Sequence, residues 1–348
     1  MARGISEAAD ILTALGILPT AGGEVMRRPA PLRALPSRPA LLGALWLPAL
    51  LLLACAPAVT QGPGALPEGT SVLRLEVGPP GAPLCMRVHA YRPPGVGLDA
   101  PVLLVVHGRS RNAAGYLRRL REAAGRHGVL LFAPEFTADA FPGFQGFNMG
   151  GLFDRNGARR PAAESAFAVP GRVFARLRAR YGVRAETFDL YGHSAGAQFV
   201  HRMVLFGQVD PRARRIVAAN AGTYTFPDEA APLPFGTGGA GLTAGDYARA
   251  FALPLDILVG GRDNDPAHPL LSRRPGALRQ GAHRLARARG FFTQARHKAA
   301  ELGVPFRWRL RVVPGVAHNG RRMGEAALAL WAQDGPAGAR TAGPPPAP

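Results

Sequence analysis

Apolar runs alternate with stretches of helical spacing along most of this chain. Segments 71–77 and 85–91 alternate apolar and polar residues, which is typical of strands with one exposed face. Later runs are continuously apolar, as in parallel strands that are buried on both faces. These runs predict strands over 102–106, 129–133, 187–191, 216–219, 255–259 and 308–313. Helical spacing predicts helices over 114–126, 170–181, 278–302 and 323–333, and one more that ends near 206. This order predicts an α/β fold with a mostly parallel, doubly wound sheet.

Two stretches, 135–161 and 224–244, interrupt the alternation. Both contain phenylalanines among glycines or prolines. Both follow predicted strands, so they leave the sheet at its carboxyl edge, where open α/β sheets bind ligands. In one interpretation they are loop insertions that form a cap and supply an apolar pocket. In the other they are surface loops whose aromatic rings pack on the core.

The N-terminal part of the chain has the pattern of a signal peptide. A basic, proline-rich stretch begins at Met26, and the apolar run 40–54 follows it. The run is shorter than the roughly 20 residues that a membrane-spanning helix needs. Residues 1–55 are therefore interpreted as an N-terminal extension with a signal peptide, and Met26 is an alternative to Met1 as the true start.

The apolar run ends at Leu52-Leu53-Ala54-Cys55, which resembles the bacterial lipobox. In that motif the cysteine is lipidated after cleavage, although Leu53 stands where a small residue is common. Cleavage after Ala56 or Ala58 with ordinary secretion, or an uncleaved anchor, stays open. Each alternative predicts export, as a cell-envelope lipoprotein or as a secreted or periplasmic protein, with membrane attachment through a lipid only in the first.

Composition divides the rest of the chain. Residues 56–70 are rich in proline, glycine and small residues and predict a linker. The folded domain is expected over 71–334, and the proline- and glycine-rich segment 335–348 is expected to be a disordered tail. The second cysteine, Cys85, lies in a predicted strand, where we expect it to be buried. The two cysteines do not have the spacing of a metal site, so no metal is predicted.

The formal charge is +19 at pH 7, which raises the question of nucleic-acid binding. Lys298 is the only lysine, and the arginines are scattered through predicted helices and loops. The chain has no array of interleaved aromatic and basic residues that would read a nucleic acid. We therefore predict no nucleic-acid partner, although the positive field favours anionic surfaces.

A Gly-x-S-x-G pattern marks the candidate reaction centre. It consists of Gly192, Ser194 and Gly196 between a predicted strand and a predicted helix. A serine on such a turn has a strained backbone and an exposed hydroxyl at the top of the sheet. The flanking glycines lack Cβ atoms that would clash, and the helix N-terminus offers free N–H groups. Ser194 is therefore a candidate nucleophile, although a chain with 44 glycines can contain this pattern by chance.

A serine nucleophile needs a general base and an acid that orients the base. His318 lies in a loop directly after the last predicted strand, which places its imidazole over the edge that carries Ser194. The acid is expected after strand 255–259, where Asp263 is the first carboxylate past the turn. Asp265 is the alternative acid, and it could instead cap the turn before Pro266.

A tetrahedral intermediate also needs two N–H donors. One is expected from Ala195, the residue after the nucleophile, and one from the loop after the third strand. That loop begins with His107 and Gly108, so the backbone N–H of Arg109 is the second candidate. The alternative for this loop is a simple turn that ends a strand.

From about residue 71 to 333 the chain resembles an α/β-hydrolase. The resemblance rests on His107-Gly108, on Gly-His-Ser-Ala-Gly around Ser194, on the Gly-x-x-Asp that ends at Asp263, and on the late His318. The chain is similar in particular to secreted esterases and polyester-depolymerase-like members. The resemblance implies acyl transfer through an acyl-serine, with water as the second nucleophile and no cofactor.

We therefore predict a serine hydrolase that cleaves carboxylic esters of a small or polymeric substrate. The same triad would equally serve an amidase, a thioesterase or a lactonase. A non-catalytic surface binding protein on a hydrolase fold is the third alternative, because a fold by itself does not imply a function.

Overall fold

The computed structural model describes residues 64–79 and 81–333, so the predicted signal peptide, Cys55 and the C-terminal tail lie outside the described residues. The strands are β1 (Gly69–Glu76), β2 (Cys85–Arg92), β3 (Val102–Val106), β4 (Leu130–Pro134), β5 (Phe188–His193), β6 (Ala213–Ala219), β7 (Leu255–Gly260) and β8 (Arg309–Val313). The helices are α1 (Ala113–Arg126), α2 (Gly143–Gly146), α3 (Val169–Tyr181), α4 (Ala195–Leu205), α5 (Ala244–Ala252), α6 (Pro275–Arg279), α7 (Arg284–Glu301) and α8 (Gly320–Gln333).

The strands form one eight-stranded sheet in the order β1-β2-β4-β3-β5-β6-β7-β8. Strand β2 runs antiparallel to its neighbours β1 and β4. All other neighbouring pairs are parallel. The predicted α/β class with a mostly parallel sheet is therefore confirmed.

Helices cover both faces of the sheet, which explains the continuously apolar strands. Successive side chains of a strand point to opposite faces. Leu103 and Val105 pack in the cluster with α1 and α8. Leu104 and Val106 pack in the cluster with α3, α4, α5 and α7. Burial of each such side chain contributes about 1.5–3 kcal/mol, so this three-layer packing is the main source of stability.

The predicted helix over 278–302 is wrong in one respect, because the structure divides it into α6 and α7. Gly281 between them has φ 138°. His283 then caps α7 by accepting a hydrogen bond at its side chain from the N–H of Ala286. Helix α5 was not predicted, although its N-terminus carries a capping box of Thr243 and Asp246.

Two expectations near the start of the domain also differ from the structure. Leu66 is fully buried and its N–H donates to the carbonyl of Tyr181, so packing begins within the segment that was expected to be a linker. Cys85 was expected to be buried, but its side chain is exposed. The pleat of β2 is the reason, because it turns Met86 and Val88 inward and leaves the alternate positions outside.

The two insertions place most of their aromatic rings in the core. Phe136 and Phe147 of the first insertion are buried against Phe199 of α4, with ring centroids 5.2 and 5.8 Å apart. In the second insertion, Phe226 packs on Phe291 of α7 at 5.8 Å. Phe144 is the exception, because 37% of it is exposed.

The parallel strands end at a common level. Val106 of β3 lies beside Gly192 of β5, and Gly260 of β7 lies beside Val313 of β8. The segments that follow these four strands therefore leave the sheet from one edge. They contain all the residues that sequence analysis assigned to the reaction centre.

Candidate active site

Ser194 occupies a strained turn between β5 and α4. Its backbone has φ 59° and ψ −112°, and its N–H donates to the carbonyl of Ala219 at 2.9 Å. A residue other than glycine in this positive-φ region costs about 1–3 kcal/mol of conformational strain, and it persists only where the surrounding structure enforces it. The turn is therefore held by the sheet and the helix on either side of it.

Two glycines make this turn sterically feasible. A Cβ atom on Gly192 would collide with the carbonyl of Gly196, and one on Gly196 would collide with the carbonyl of Val106. Because both positions lack a Cβ atom, helix α4 approaches the ends of β3 and β5 more closely than a larger residue at either position would permit.

His318 lies between Ser194 and Asp263. Its Nε2 is 3.1 Å from Ser194 Oγ, and its Nδ1 is 2.8 Å from Asp263 Oδ2. A carboxylate can only accept, so Nδ1 carries the proton and Nε2 is left to accept from the serine hydroxyl. The structure thereby joins the three residues in one hydrogen-bonded series.

Asp263 is a buried carboxylate with two partners. Burial by itself raises the pKa of Asp263, but the hydrogen bond and charge of His318 and the charge of Arg284 outweigh it and hold this pKa below its usual value. Arg284 Nη1 donates to Asp263 Oδ1 at 3.1 Å. The carboxylate is therefore ionised at neutral pH.

Asp265 does not contact His318. Its side chain is exposed and accepts a hydrogen bond from the N–H of Ala267 at 2.8 Å. It caps the turn, which is the role that the adjacent Pro266 indicated as its alternative.

The two candidate oxyanion donors have no competing acceptor within the described residues. The N–H groups of Arg109 and Ala195 donate to no protein acceptor there. Gly108 lies against the hydroxyl of Tyr116. A Cβ atom on Gly108 would lie only 2.8 Å from that hydroxyl oxygen. The turn after β3 is therefore packed tightly on α1, which holds the Arg109 backbone in place.

The ring of His193 packs against the ring of His318, a contact that sequence analysis did not predict. The two imidazole rings are 4.8 Å apart, and His193 Nδ1 is 2.7 Å from the hydroxyl of Tyr116. Burial, followed by the charges of His318, Arg284 and Arg119, lowers the pKa of His193 well below its usual value. His193 is consequently a neutral ring in contact with the imidazole of His318.

His107 and Arg111 attach the first insertion to the turn after β3. His107 Nε2 accepts from the N–H of Phe136 at 3.0 Å, and burial is the main cause that lowers the pKa of His107 to about 4. Arg111 donates to the carbonyls of Phe136 and Phe141 and stacks on the ring of Phe147. Neither role has a signal in the sequence.

Asn220 connects three parts of the site. It has φ 51°, its Oδ1 accepts from the N–H of Gly260 at 2.8 Å, and its Nδ2 donates to the carbonyl of Ala317 at 3.2 Å. It thus fixes the end of β7 and the loop of His318 relative to β6. Asparagine tolerates the left-handed region, so an asparagine directly after a predicted strand was an available signal.

The chain is similar to two solved structures. One is poly(aspartic acid) hydrolase-1 from Sphingomonas sp. KT-1, with 37% identity and a TM-score of 0.71 over 76% of this chain and 99% of that one. The other is LpqC, a poly(3-hydroxybutyrate) depolymerase from Bordetella parapertussis, with 37% identity and a TM-score of 0.71 over 78% of this chain and 92% of that one.

The chain belongs to the α/β-hydrolase superfamily. It is an esterase-like hydrolase, which disfavours the alternative of a non-catalytic binding protein. No family model and no curated protein matches the chain.

Within the described ranges, no cluster of three or more histidine, cysteine or acidic side chains could hold a metal ion. In the same part of the chain, no helix is long and apolar enough to cross a bilayer.

The tight packing of Gly192 at the turn that carries Ser194 can be tested by substitution, with Gly245 as the control position. We expect Gly192→Ala to destabilise the protein by about 1–3 kcal/mol and to reduce hydrolase activity, because the new methyl group displaces α4 and Ser194. Gly245→Ala in α5 meets only ordinary contacts, from 3.5 Å outward, so it should leave activity unchanged and should not lower stability, because alanine favours a helix more than glycine does. Urea unfolding and ester turnover measure the two effects, and equal behaviour of the two variants would contradict the steric argument.

Proposed function

We propose that the protein hydrolyses carboxylic esters through an acyl-serine intermediate, with Ser194, His318 and Asp263 as a catalytic triad. The observation that carries this proposal is the hydrogen-bonded series from Asp263 through His318 to Ser194 Oγ, with links of 2.8 and 3.1 Å. The strained turn and the similarity to hydrolases support it independently.

In the first half-reaction, Ser194 Oγ attacks the ester carbonyl carbon while its proton passes to His318 Nε2. Asp263 accepts the Nδ1–H bond and stabilises the imidazolium that forms. The carbonyl oxygen becomes an oxyanion, which accepts hydrogen bonds from the N–H groups of Arg109 and Ala195. Collapse of the intermediate breaks the ester C–O bond, and His318 returns the proton to the leaving alkoxide.

In the second half-reaction, a water molecule gives its proton to His318 Nε2 and attacks the acyl-serine. The second tetrahedral intermediate uses the same two N–H donors. Its collapse releases the carboxylic acid and returns the proton to Ser194 Oγ. The balance requires only ester and water, so the proposed reaction needs no cofactor.

The triad proposal predicts a large loss of turnover in Ser194→Ala, His318→Ala and Asp263→Asn. We expect roughly a 10⁴-fold loss or more, because the residues act as a unit. Asp265→Asn is the matched control for Asp263→Asn, and it should keep nearly all activity because its carboxylate only caps a turn. Turnover of p-nitrophenyl esters and labelling by a fluorophosphonate measure the outcome. Retained turnover in folded Ser194→Ala would refute the proposal.

A second candidate is hydrolysis of an amide bond in an anionic polymer by the same triad. Poly(aspartic acid), which the relative from Sphingomonas is named for, is a polyamide that carries one carboxylate per residue. Here, Arg109, Arg262 and Arg322 are exposed on segments that follow β3, β7 and β8, beside the candidate site. No described carboxylate forms an ion pair with these three arginines. Exposed cations at this edge would attract a polyanion.

This candidate predicts that charge removal at the site affects anionic substrates selectively. Arg262→Gln combined with Arg322→Gln should raise KM for poly(aspartic acid) several-fold and weaken its dependence on salt, while KM for a neutral ester stays constant. Arg178→Gln is the control, because Arg178 is exposed near the end of α3, at the amino edge of the sheet. Equal effects on both substrates would argue against recognition of the polymer charge.

We further propose that residues 1–55 export the protein, and that the segment 56–70, which composition predicts as a linker, leads into a hydrolase domain whose packing begins at Leu66. The support is the basic and apolar pattern of the N-terminal extension. The exported form is either a lipoprotein anchored through Cys55 or a free secreted or periplasmic protein.

Expression of the full chain in a bacterium tests the proposal of export. We expect the product to lack the apolar run 40–54 and to lie outside the cytoplasm. Mass spectrometry of its N-terminal peptide distinguishes a lipidated Cys55 from a chain that begins after Ala56 or Ala58. Under the first outcome, Cys55→Ser moves the protein from the membrane fraction to the soluble fraction. A cytoplasmic product that keeps residues 1–55 would contradict export.

A further inference from the structure

Arg284 is a buried cation in direct contact with the candidate triad. It is the first residue of α7, and only 1% of its side chain is exposed. Its Nη1 donates to Asp263 Oδ1 at 3.1 Å, and its Nη2 is 3.4 Å from His268 Nδ1. Its Nε is buried and has no hydrogen-bond partner among the described residues.

The contacts of Arg284 differ from those of Arg202 and Arg287, which are the two other fully buried arginines in the described part of the chain. Arg287, three residues later on α7, donates to the carbonyls of Gly281, Gly222 and Ser272. Arg202 donates to the carbonyls of Asn148 and Gln198 and to the hydroxyl of Thr225. These two arginines hold loops in place through the backbone, whereas Arg284 bonds to no backbone atom within the described residues.

Both polar partners of Arg284 contact His318. Asp263 accepts the Nδ1–H bond of His318, and the ring of His268 lies edge-on to that of His318 at 5.3 Å. Burial of a cation is costly, and here the cost is not offset by anchoring of a loop. The placement of the guanidinium therefore points to a role in the reaction centre.

The backbone holds Arg284 against Asp263. The N–H of Leu285 donates to the carbonyl of Asp263 at 3.1 Å, so the first turn of α7 is fastened to the loop that carries the acid. The side-chain cap of His283 fixes the start of the same turn. The position of the guanidinium is consequently set before any substrate binds.

We propose that Arg284 is a positioning residue, whose guanidinium determines which oxygen of Asp263 faces His318. This inference rests on the proposed triad. Asp263 Oδ1 is occupied by Arg284 and Oδ2 by His318, so the carboxylate cannot rotate without breaking a charged hydrogen bond. The positive charge next to Asp263 partly cancels the field that the carboxylate exerts on the imidazole.

Among the ionisable groups near His318 in the described part of the site, Arg284 is the main buried source of positive charge. Burial is the first cause that lowers the pKa values of His193 and His268, so both rings are neutral. Burial also raises the pKa of Tyr224, which faces Asp263, and keeps it neutral. The charges of Asp265 and Arg119 lie on exposed side chains and are screened by solvent.

A neutral substitution of Arg284 should slow the reaction. In Arg284→Met, Asp263 loses the charged hydrogen bond that orients it towards His318.

The test measures the rate of fluorophosphonate labelling of the full chain at neutral pH, together with thermal unfolding. We expect Arg284→Met to lower the labelling rate about tenfold, because a charged hydrogen bond to Asp263 is lost. Arg284→Lys keeps the charge but not the planar fork, so it should lower the labelling rate as well. Arg287→Met is the matched control, and it should lower Tm while leaving the labelling rate of the folded protein at the wild-type value.

Two results would overturn the inference. The first is a folded Arg284→Met protein that is labelled at the wild-type rate. The second is a wild-type labelling rate in Arg284→Lys, which decides the orienting role even if the methionine variant does not fold. Failure of the proposed function is distinguishable, because then the wild type is not labelled or Ser194→Ala is labelled equally.

Discussion

The close approach of helix α4 to strands β3 and β5 is the contact on which the candidate site depends. It exists because Gly196 lies against the carbonyl of Val106, where a Cβ atom has no room. That approach forces the backbone of Ser194 into the left-handed region and raises its hydroxyl above the sheet. The same approach brings the first N–H of α4 next to the turn after β3. One steric constraint thus places both the candidate nucleophile and a candidate oxyanion donor.

Around this turn, the protein combines neutral histidines with one buried ion pair. His107 and His193 are buried where desolvation lowers their pKa values, so each acts as a hydrogen-bonding ring rather than as a cation. Asp263 stays ionised because His318 and Arg284 outweigh the effect of its burial on its pKa. His318 therefore lies between a neutral ring and a carboxylate whose charge is partly balanced.

Sequence reasoning succeeded where a local pattern has a local physical cause. The period of the apolar residues follows directly from the burial of strands and helices, and it predicted the sheet and most element bounds. It missed α5 and the break between α6 and α7, where capping residues and Gly281 decide the geometry. Ser194, Asp263 and His318 could be named as candidates because each follows a predicted strand, and the chain leaves parallel strands at one edge of the sheet. The structure brings these three into hydrogen-bond contact.

The sequence by itself determined the fold class, the strained serine turn and the order of the candidate chemical groups, because these depend on spacing along the chain. Only the tertiary structure decided that Asp263, and not Asp265, contacts His318. The two side chains have the same carboxylate chemistry, and they differ only in the direction in which the folded backbone points them. The tertiary structure also decided the contacts of Arg284, His193 and Asn220. These residues act across 21 to 125 positions of sequence, from Arg284 with Asp263 to His193 with His318, and only packing of distant elements brings such residues together. Spacing is a property of the chain, whereas direction and burial are properties of the packed molecule.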